Sequence, residues 1–218
     1  MPLQTRHGLR TRGTSPAVDG GARPNLLGAR EGVPPAYWGA PSGLRCLDGV
    51  VADVWDEGMT HHIPRLMVLA NIAQLLDLEP RALTNWFWSA YVDAFDWVVE
   101  PNVLAMGSFA VGELMTTKPY VSGSGYIQRM SDYCSSCAFH PKKSCPLTPM
   151  YWAYLARHDA LLFEVGRSQR QVWSVRKRDP AKRRRDAATF EFVQATLRAG
   201  ERLSPEGLAA ALAKADTD

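Results

Sequence analysis

Downstream of Trp38 the chain has no sustained alternation of apolar and polar residues, which argues against a half-buried β-sheet as its framework and leaves helices. It also lacks an apolar run long enough to span a bilayer. The most apolar window, Ile63 to Leu78, is interrupted by Arg65, Asn71, Gln74 and Asp77, so neither a transmembrane segment nor a membrane partner is expected. There is no Gly-rich phosphate loop, no Ser-His-Asp order and no pattern of two histidines with a carboxylate, which counts against hydrolase and nucleotide-kinase chemistry. The net charge is only +3 in 218 residues, so affinity for nucleic acid would have to come from local basic patches. No signal peptide and no internal repeat is found, the few thiols read as ligands in a reducing compartment, and a cytoplasmic location is expected. The 46% hydrophobic content is that of an ordinary soluble protein of one or two domains.

Three of the four cysteines, Cys134, Cys137 and Cys145, fall within a dozen residues. Two thiolates with two residues between them can face one centre across a tight turn, and Cys145 follows after seven more. Zinc and a [4Fe-4S] cluster both accept four thiolates, so the spacing leaves both open; the Cys145-Pro146 step leans toward iron and sulfur. Cys46, 88 residues before Cys134, is the candidate fourth ligand, and His140 is its competitor if the metal is zinc.

Residues 1 to 45 hold eight glycines and six prolines, and a disordered leader is expected over 1–24. A helical cluster-binding domain is expected over 25–200 and a peripheral helix and tail over 201–218. Helical spacing appears in Leu47, Val50, Val51, Val54 and Trp55. A second helix is expected from about His62 to Asp77, with Pro64 in its first turn. A third is expected from Pro80 to about Val99, with Leu83, Trp86, Phe87, Ala90, Tyr91, Ala94 and Trp97 inward. Pro101-Asn102 is expected to end it and to open a loop-rich stretch to Gly125. Further helices are expected over Tyr126 to Cys134, Met150 to Val165, Thr189 to Arg198 and Pro205 to Lys214.

Nine Lys or Arg residues between Arg167 and Arg185 read either as a solvated linker and helix start or as a strip that contacts phosphates. His61-His62 at a helix start is a candidate proton-transfer pair. Seven tryptophans are many for this length, and inside a helical core they either relay single electrons or merely pack.

Three stretches together resemble a known family: His61-His62-Ile63-Pro64-Arg65-Leu66-Met67, Thr117-Lys118-Pro119-Tyr120, and Tyr126-Ile127-Gln128-Arg129-Met130-Ser131-Asp132-Tyr133-Cys134. They are similar to the iron-sulfur bacterial cryptochromes and photolyases, of the prokaryotic (6-4) type. The resemblance runs from about Asn25 to Arg178. It implies an all-α fold, the C-terminal part of that family's helical FAD-binding domain. It implies that Cys46, Cys134, Cys137 and Cys145 hold a [4Fe-4S] cluster, and that His62 with His61 supplies a proton on the lesion side of the flavin. Trp86 and Trp38 match the inner and outer electron-relay aromatics, Asn102 the amide facing the flavin, and Tyr120 and Tyr126 the aromatics around the cavity. The implied activity is transfer of an electron from light-excited reduced FAD to a pyrimidine photoproduct in UV-damaged DNA.

This sequence departs from the family in four ways. Family chains are much longer, and the antenna domain and first set of flavin-gripping helices have no counterpart here, which leaves a complementing chain as the expected source of the missing half. Phe87 stands where some relatives have tyrosine, Val99-Glu100 reverses the expected order, and the Cys137 to Cys145 spacing is short. The rival readings are a cluster- or zinc-stabilised DNA- or protein-binding module without catalysis, and a decayed remnant.

Overall fold

The computed structural model describes residues 22–215. The leader expected over 1–24 therefore lies outside the described residues as far as residue 21, as do the last three residues of the expected tail. Among the described residues there is no strand, only an isolated bridge between Glu31 and Leu78, and the all-α expectation holds. No described helix is long and apolar enough to cross a membrane. In order, the α-helices are α1 Arg45–Glu57, α2 Asn71–Leu75, α3 Pro80–Ala90, α4 Asp96–Val99, α5 Ser124–Met130, α6 Leu147–Arg157, α7 Asp159–Glu164, α8 Gln169–Arg176, α9 Pro180–Arg198 and α10 Pro205–Ala215. Two π-helical segments, Pro64–Ala70 and Glu100–Gly107, run directly into α2 and out of α4.

α1 buries Cys46, Leu47, Val50, Val51 and Val54, one face of a helix at the expected spacing. Its first turn is held by Asp48, whose carboxylate accepts from the Ser42 and Gly43 N–H groups at 2.8 and 3.2 Å and from the Ser42 hydroxyl at 2.5 Å. The chain then reaches α2, where two amides interrupt the apolar window for a reason. Asn71 and Gln74, both buried, point to one side: Asn71 exchanges hydrogen bonds with Ser122, and Gln74 donates to the Gly107 carbonyl at 2.7 Å and accepts from the Tyr154 hydroxyl at 3.2 Å. Buried amides need partners, and these supply them to the irregular stretch that follows the second π segment.

The third expected helix is shorter than its periodicity. α3 stops at Ala90, because Tyr91 is extended (φ −101°, ψ 142°) and the Val92 N–H donates to the Gly58 carbonyl at 2.9 Å instead of continuing the helix. Tertiary pairing overrides local propensity here. Trp97, expected inward, is 74% exposed and stacks on Phe95. Pro101 does not end the helix: α4 runs straight into the second π segment, and Pro101 is the second residue of that segment. Arg81 of α3 is buried and grips Glu100 through both guanidinium nitrogens at 2.6 and 2.9 Å, which fixes the start of that segment.

On the far side, α6 packs against α2, α8 and α9. α9 begins well before the expected Thr189, because the Asp179 carboxylate caps the N–H groups of Ala181 and Lys182 and Pro180 occupies the first turn. The basic run 182–185 is thus helical. Leu203 and Leu208 are buried in the same core as α1 and α6, and the Leu203 N–H donates to the Ser42 carbonyl at 2.9 Å.

The helix expected over Met150 to Val165 divides at His158 (φ −106°, ψ 19°). The His158 ring lies against Tyr154, its Nε2 has no hydrogen-bond partner, and burial together with the nearby Arg157 charge lowers its pKa from the usual 6.5 to about 4. A folded-state pKa below the unfolded one means that the unfolded chain takes up the extra proton between those values. Stability should therefore be unaffected above pH 6.5 and fall by up to about 3 kcal/mol as the pH drops to about 4. Chemical denaturation at pH 7 and pH 4.5 checks this: His158→Phe should flatten the acid limb, and an unchanged limb would refute it.

Candidate functional site

The two π-helical segments are in contact, and their closest point is small: a Cβ on Gly107 would lie 3.3 Å from the Ala70 Cβ. π-helical turns are rare and concentrate at functional sites. Where the segments diverge they wall a cleft of about 390 Å³. Pro64–Ala70 contributes Arg65, Leu66 and Ala70, while Glu100–Gly107 contributes Asn102, Val103 and Met106. His61 and His62 stand exposed on one rim, and Phe87 and Tyr91 form part of the floor. Three of the residues singled out in the sequence, His61, His62 and Asn102, are therefore brought to one cleft from segments about forty positions apart. The Asn102 amide donates to the Val98 carbonyl at 2.8 Å, which leaves its oxygen as an available acceptor.

One arginine lines this cleft, and all three of its guanidinium nitrogens already make a hydrogen bond. Arg65 donates to the Thr60 carbonyl at 2.8 Å, pairs with both oxygens of Asp93 at 3.1 and 2.9 Å, and lies 4.2 Å above the Tyr91 ring. Tyr91 shares a 2.7 Å hydrogen bond with Thr60, and burial pushes its pKa up to about 12. Tyr126 belongs to α5 rather than to a loop and packs on Leu66, Met67 and Ala70, behind the cleft wall. Tyr120 does not line the cleft; its carbonyl accepts from Gln74 at 3.5 Å.

Behind the floor, aromatic rings continue to the opposite surface. Trp86, buried, meets Phe87 at 5.1 Å and Tyr91 at 6.2 Å on one side and Tyr37 at 5.1 Å on the other, all edge to face. The indole N–H groups of Trp86 and Trp55 both donate to the Tyr37 carbonyl, at 3.0 and 3.2 Å. Trp55 stacks on Trp38 at 5.7 Å, and Trp38 is 48% exposed. Tyr37 and Trp55 are members of this line to which the sequence assigned no role in it. Trp55 looked like one more apolar residue on α1, and only its place between Trp38 and Tyr37 distinguishes it.

All four cysteines are free thiols. Cys46 is buried on α1, and the other three pack against the same core. They are mutually close: burial raises the Cys46 pKa far above its usual range, with further contributions from Cys145, Cys137 and Cys134. Burial likewise pushes Cys145 up to about 12, opposed by the Leu147 N–H and the Ser124 hydroxyl near its sulfur. Among the described residues no group of three or more His, Cys, Asp or Glu is arranged to hold a single metal ion. His140 is exposed, and its Nδ1 accepts from the Lys142 N–H at 3.2 Å.

The turn Tyr133–Ser136 reaches α1 because α1 carries a glycine in mid-helix. A Cβ at Gly49 would lie 3.1 Å from the Tyr133 ring, so the missing side chain is the seat of that ring. Glycine inside a helix costs about 0.5–1 kcal/mol relative to alanine, which signals a packing requirement. Phe139, buried, and the Ser124 hydroxyl, which donates to the Pro141 carbonyl at 2.6 Å, anchor the rest of the cysteine loop.

No family model matches the chain. It is similar to a curated protein called a (6-4) photolyase, from Agrobacterium fabrum, with 39% identity over 131 residues, 58% of this chain and 26% of the relative. It is also 39% identical over 66 residues, 30% of this chain, to uncharacterized protein R855 of Acanthamoeba polyphaga mimivirus, of which those residues make up 54%. The chain thus spans about a quarter of the length of the first relative and about half of the second.

Proposed function

We propose that this chain forms the cleft and cluster part of a photolyase- or cryptochrome-type flavoprotein that moves single electrons under light, with UV-damaged DNA as its partner. The observation that carries the reading is the cleft itself, which gathers His61, His62 and Asn102 and opens directly onto the Trp86 line of rings. Its volume suits a tricyclic ring and not a whole dinucleotide, and the charge of Arg65, the one arginine on its lining, is already paired with Asp93. When bound, reduced FAD supplies the electron that the photoproduct accepts. With flavin bound, the Asn102 oxygen would be the acceptor available to its edge, and His62 beside His61 would be the proton donor at the exposed rim. Phe87 and Tyr91 exclude water from the floor. Trp86, with Tyr37 and Trp55 between it and Trp38, gives electrons a route from the surface.

The four thiols fit a [4Fe-4S] cluster. Their donor set is all sulfur and their surroundings are largely apolar; N–H groups of Leu47 and Leu147 aimed at Cys46 and Cys145 match the hydrogen bonds that stabilise cluster thiolates. A cubane takes its ligands from the corners of a body wider than one ion, which suits coupled sulfurs that do not converge on a point. The Tyr37 ring lies within electrostatic reach of both Cys46 and Tyr91.

FAD titration followed by visible absorbance, with iron and sulfide assays on anaerobically purified protein, tests the two cofactors separately. Once flavin is bound, Trp86→Phe should slow its photoreduction by more than tenfold while Trp97→Phe, at an exposed position off the line, leaves it unchanged. Equal rates in both variants would remove the relay, and non-saturable titration would remove the flavin site.

A further inference from the structure

The surface end of the ring line opens into a cavity of about 660 Å³, a size common among small-molecule sites. Trp38 and Trp55 line it, their rings 5.7 Å apart and within 30° of parallel, together with Ala40, Val51 and Ala52. Trp38 is 48% exposed, so a flat apolar face is presented to whatever enters. Aromatic surface left bare in a concave setting marks a binding site. The charged lining is all of one sign, Asp48 and Asp56, with no lysine, arginine or histidine. The Asp48 carboxylate is engaged by Ser42 and Gly43 at the entry to α1. Asp56 is exposed and makes no ion pair among the described residues, so its carboxylate is an available acceptor.

We propose that this cavity binds the reductant that refills the ring line, an uncharged aromatic diol of the hydroquinone class, with its ring against the Trp38–Trp55 pair and a hydroxyl hydrogen-bonded to Asp56. This rests on the electron-relay reading above and names the donor. Two carboxylates without a cation repel anionic reductants, and an ionised carboxylate only accepts, so it selects a partner with O–H groups to donate. A flat apolar ring suits a stacked indole pair. When light drives an electron from Trp86 to the flavin, the vacancy moves outward to Trp38. The diol then gives one electron to the Trp38 indole and one hydroxyl proton to the Asp56 carboxylate, which releases it to water. A second turnover removes a second electron and a second proton, so each diol that becomes a quinone delivers two electrons.

Binding and electron delivery are measured separately. Hydroquinone titrated into the flavin-free full chain in a calorimeter should bind saturably. Ala52→Phe, at an exposed position of α1, keeps the indole pair and puts a ring into the cavity; it should weaken that binding by more than about tenfold. Asp56→Asn keeps the shape, removes the charge and should weaken it by about threefold to tenfold, which also covers the case in which A52F fails to fold. In flavin-loaded chain under light, the rate of photoreduction should saturate at the hydroquinone concentration that half-fills the cavity. With ascorbate, an anion, the rate should rise linearly and be the same in A52F as in the unaltered chain. Non-saturable hydroquinone binding, or binding unchanged in both variants, would overturn the proposal. So would self-association that A52F abolishes without any hydroquinone binding, which would give the cavity to a second copy of the chain. The two readings fail separately. Saturable binding with no photoreduction by either donor removes the relay and with it the donor role; photoreduction that rises linearly with hydroquinone and is slowed by Trp86→Phe keeps the relay and removes the donor cavity.

Discussion

Cys46→Ser is expected to reduce the iron and sulfide of anaerobically purified protein to below about a tenth of the unaltered chain and to abolish its brown colour. Cys46 is the one ligand candidate on α1; Cys134, Cys137 and Cys145 all belong to a loop held to that helix mainly by Tyr133 on Gly49. Without Cys46 the three remaining thiols all come from one loop. Metal–thiolate binding energy is folding energy when the site forms only in the folded chain, so the thermal midpoint should fall by on the order of 10–20 °C. In metal-free protein the same substitution should cost only about 1–3 kcal/mol, for burying a hydroxyl where a thiol was. A holo midpoint that falls no further than the metal-free one would sink the cluster assignment. Retained iron would transfer the fourth-ligand role away from Cys46.

Gly43→Ala should destabilise the fold by about 2–4 kcal/mol, although position 43 does not line the histidine cleft. Its φ is +83°, a left-handed conformation that side chains adopt only with strain, and a Cβ would run into the Leu203 carbonyl oxygen. That oxygen is backbone and cannot rotate away. The neighbouring Leu203 N–H is already bonded to the Ser42 carbonyl, so the approach is held from both ends. A drop of about 5–15 °C in the melting temperature is expected, without loss of iron per folded chain. A variant as stable as the unaltered protein would mean that the segment around Leu203 is free to move off the α1 entry.

The helical framework was legible because α1, α2 and α3 show their buried faces as apolar spacing, and the cysteine loop was legible because CxxC with a third thiol is seldom incidental. What the sequence hid was tertiary. Nothing in the run from Pro80 to Val99 says that helix ends at Ala90; the reason is a hydrogen bond from Val92 to Gly58 and an Arg65–Asp93 pair, both across some thirty residues. Pro101 read as a terminator because proline is unfavourable inside a helix, yet the chain stays helical through it as α4 passes into the π segment. Asn71 and Gln74 looked like interruptions and are the tethers of the stretch after Gly107. In the site, His61-His62 stood out as a histidine pair at a helix start and Asn102 only through the family resemblance, whereas Trp55 and Gly49 take their meaning only from what lies opposite them.

The carbonyl of Tyr37 accepts from two indoles at once, and it is part of the main chain. Its position is set by the turn Pro35–Trp38, with Pro34 and Pro35 before it and Gly39 in the left-handed region after it. A main-chain acceptor survives any side-chain replacement that keeps the turn. The separation of Trp86 from Trp55 is therefore buffered against mutation at position 37 itself and exposed to mutation at the prolines and glycine around it, so drift in this lineage should register first in those three residues.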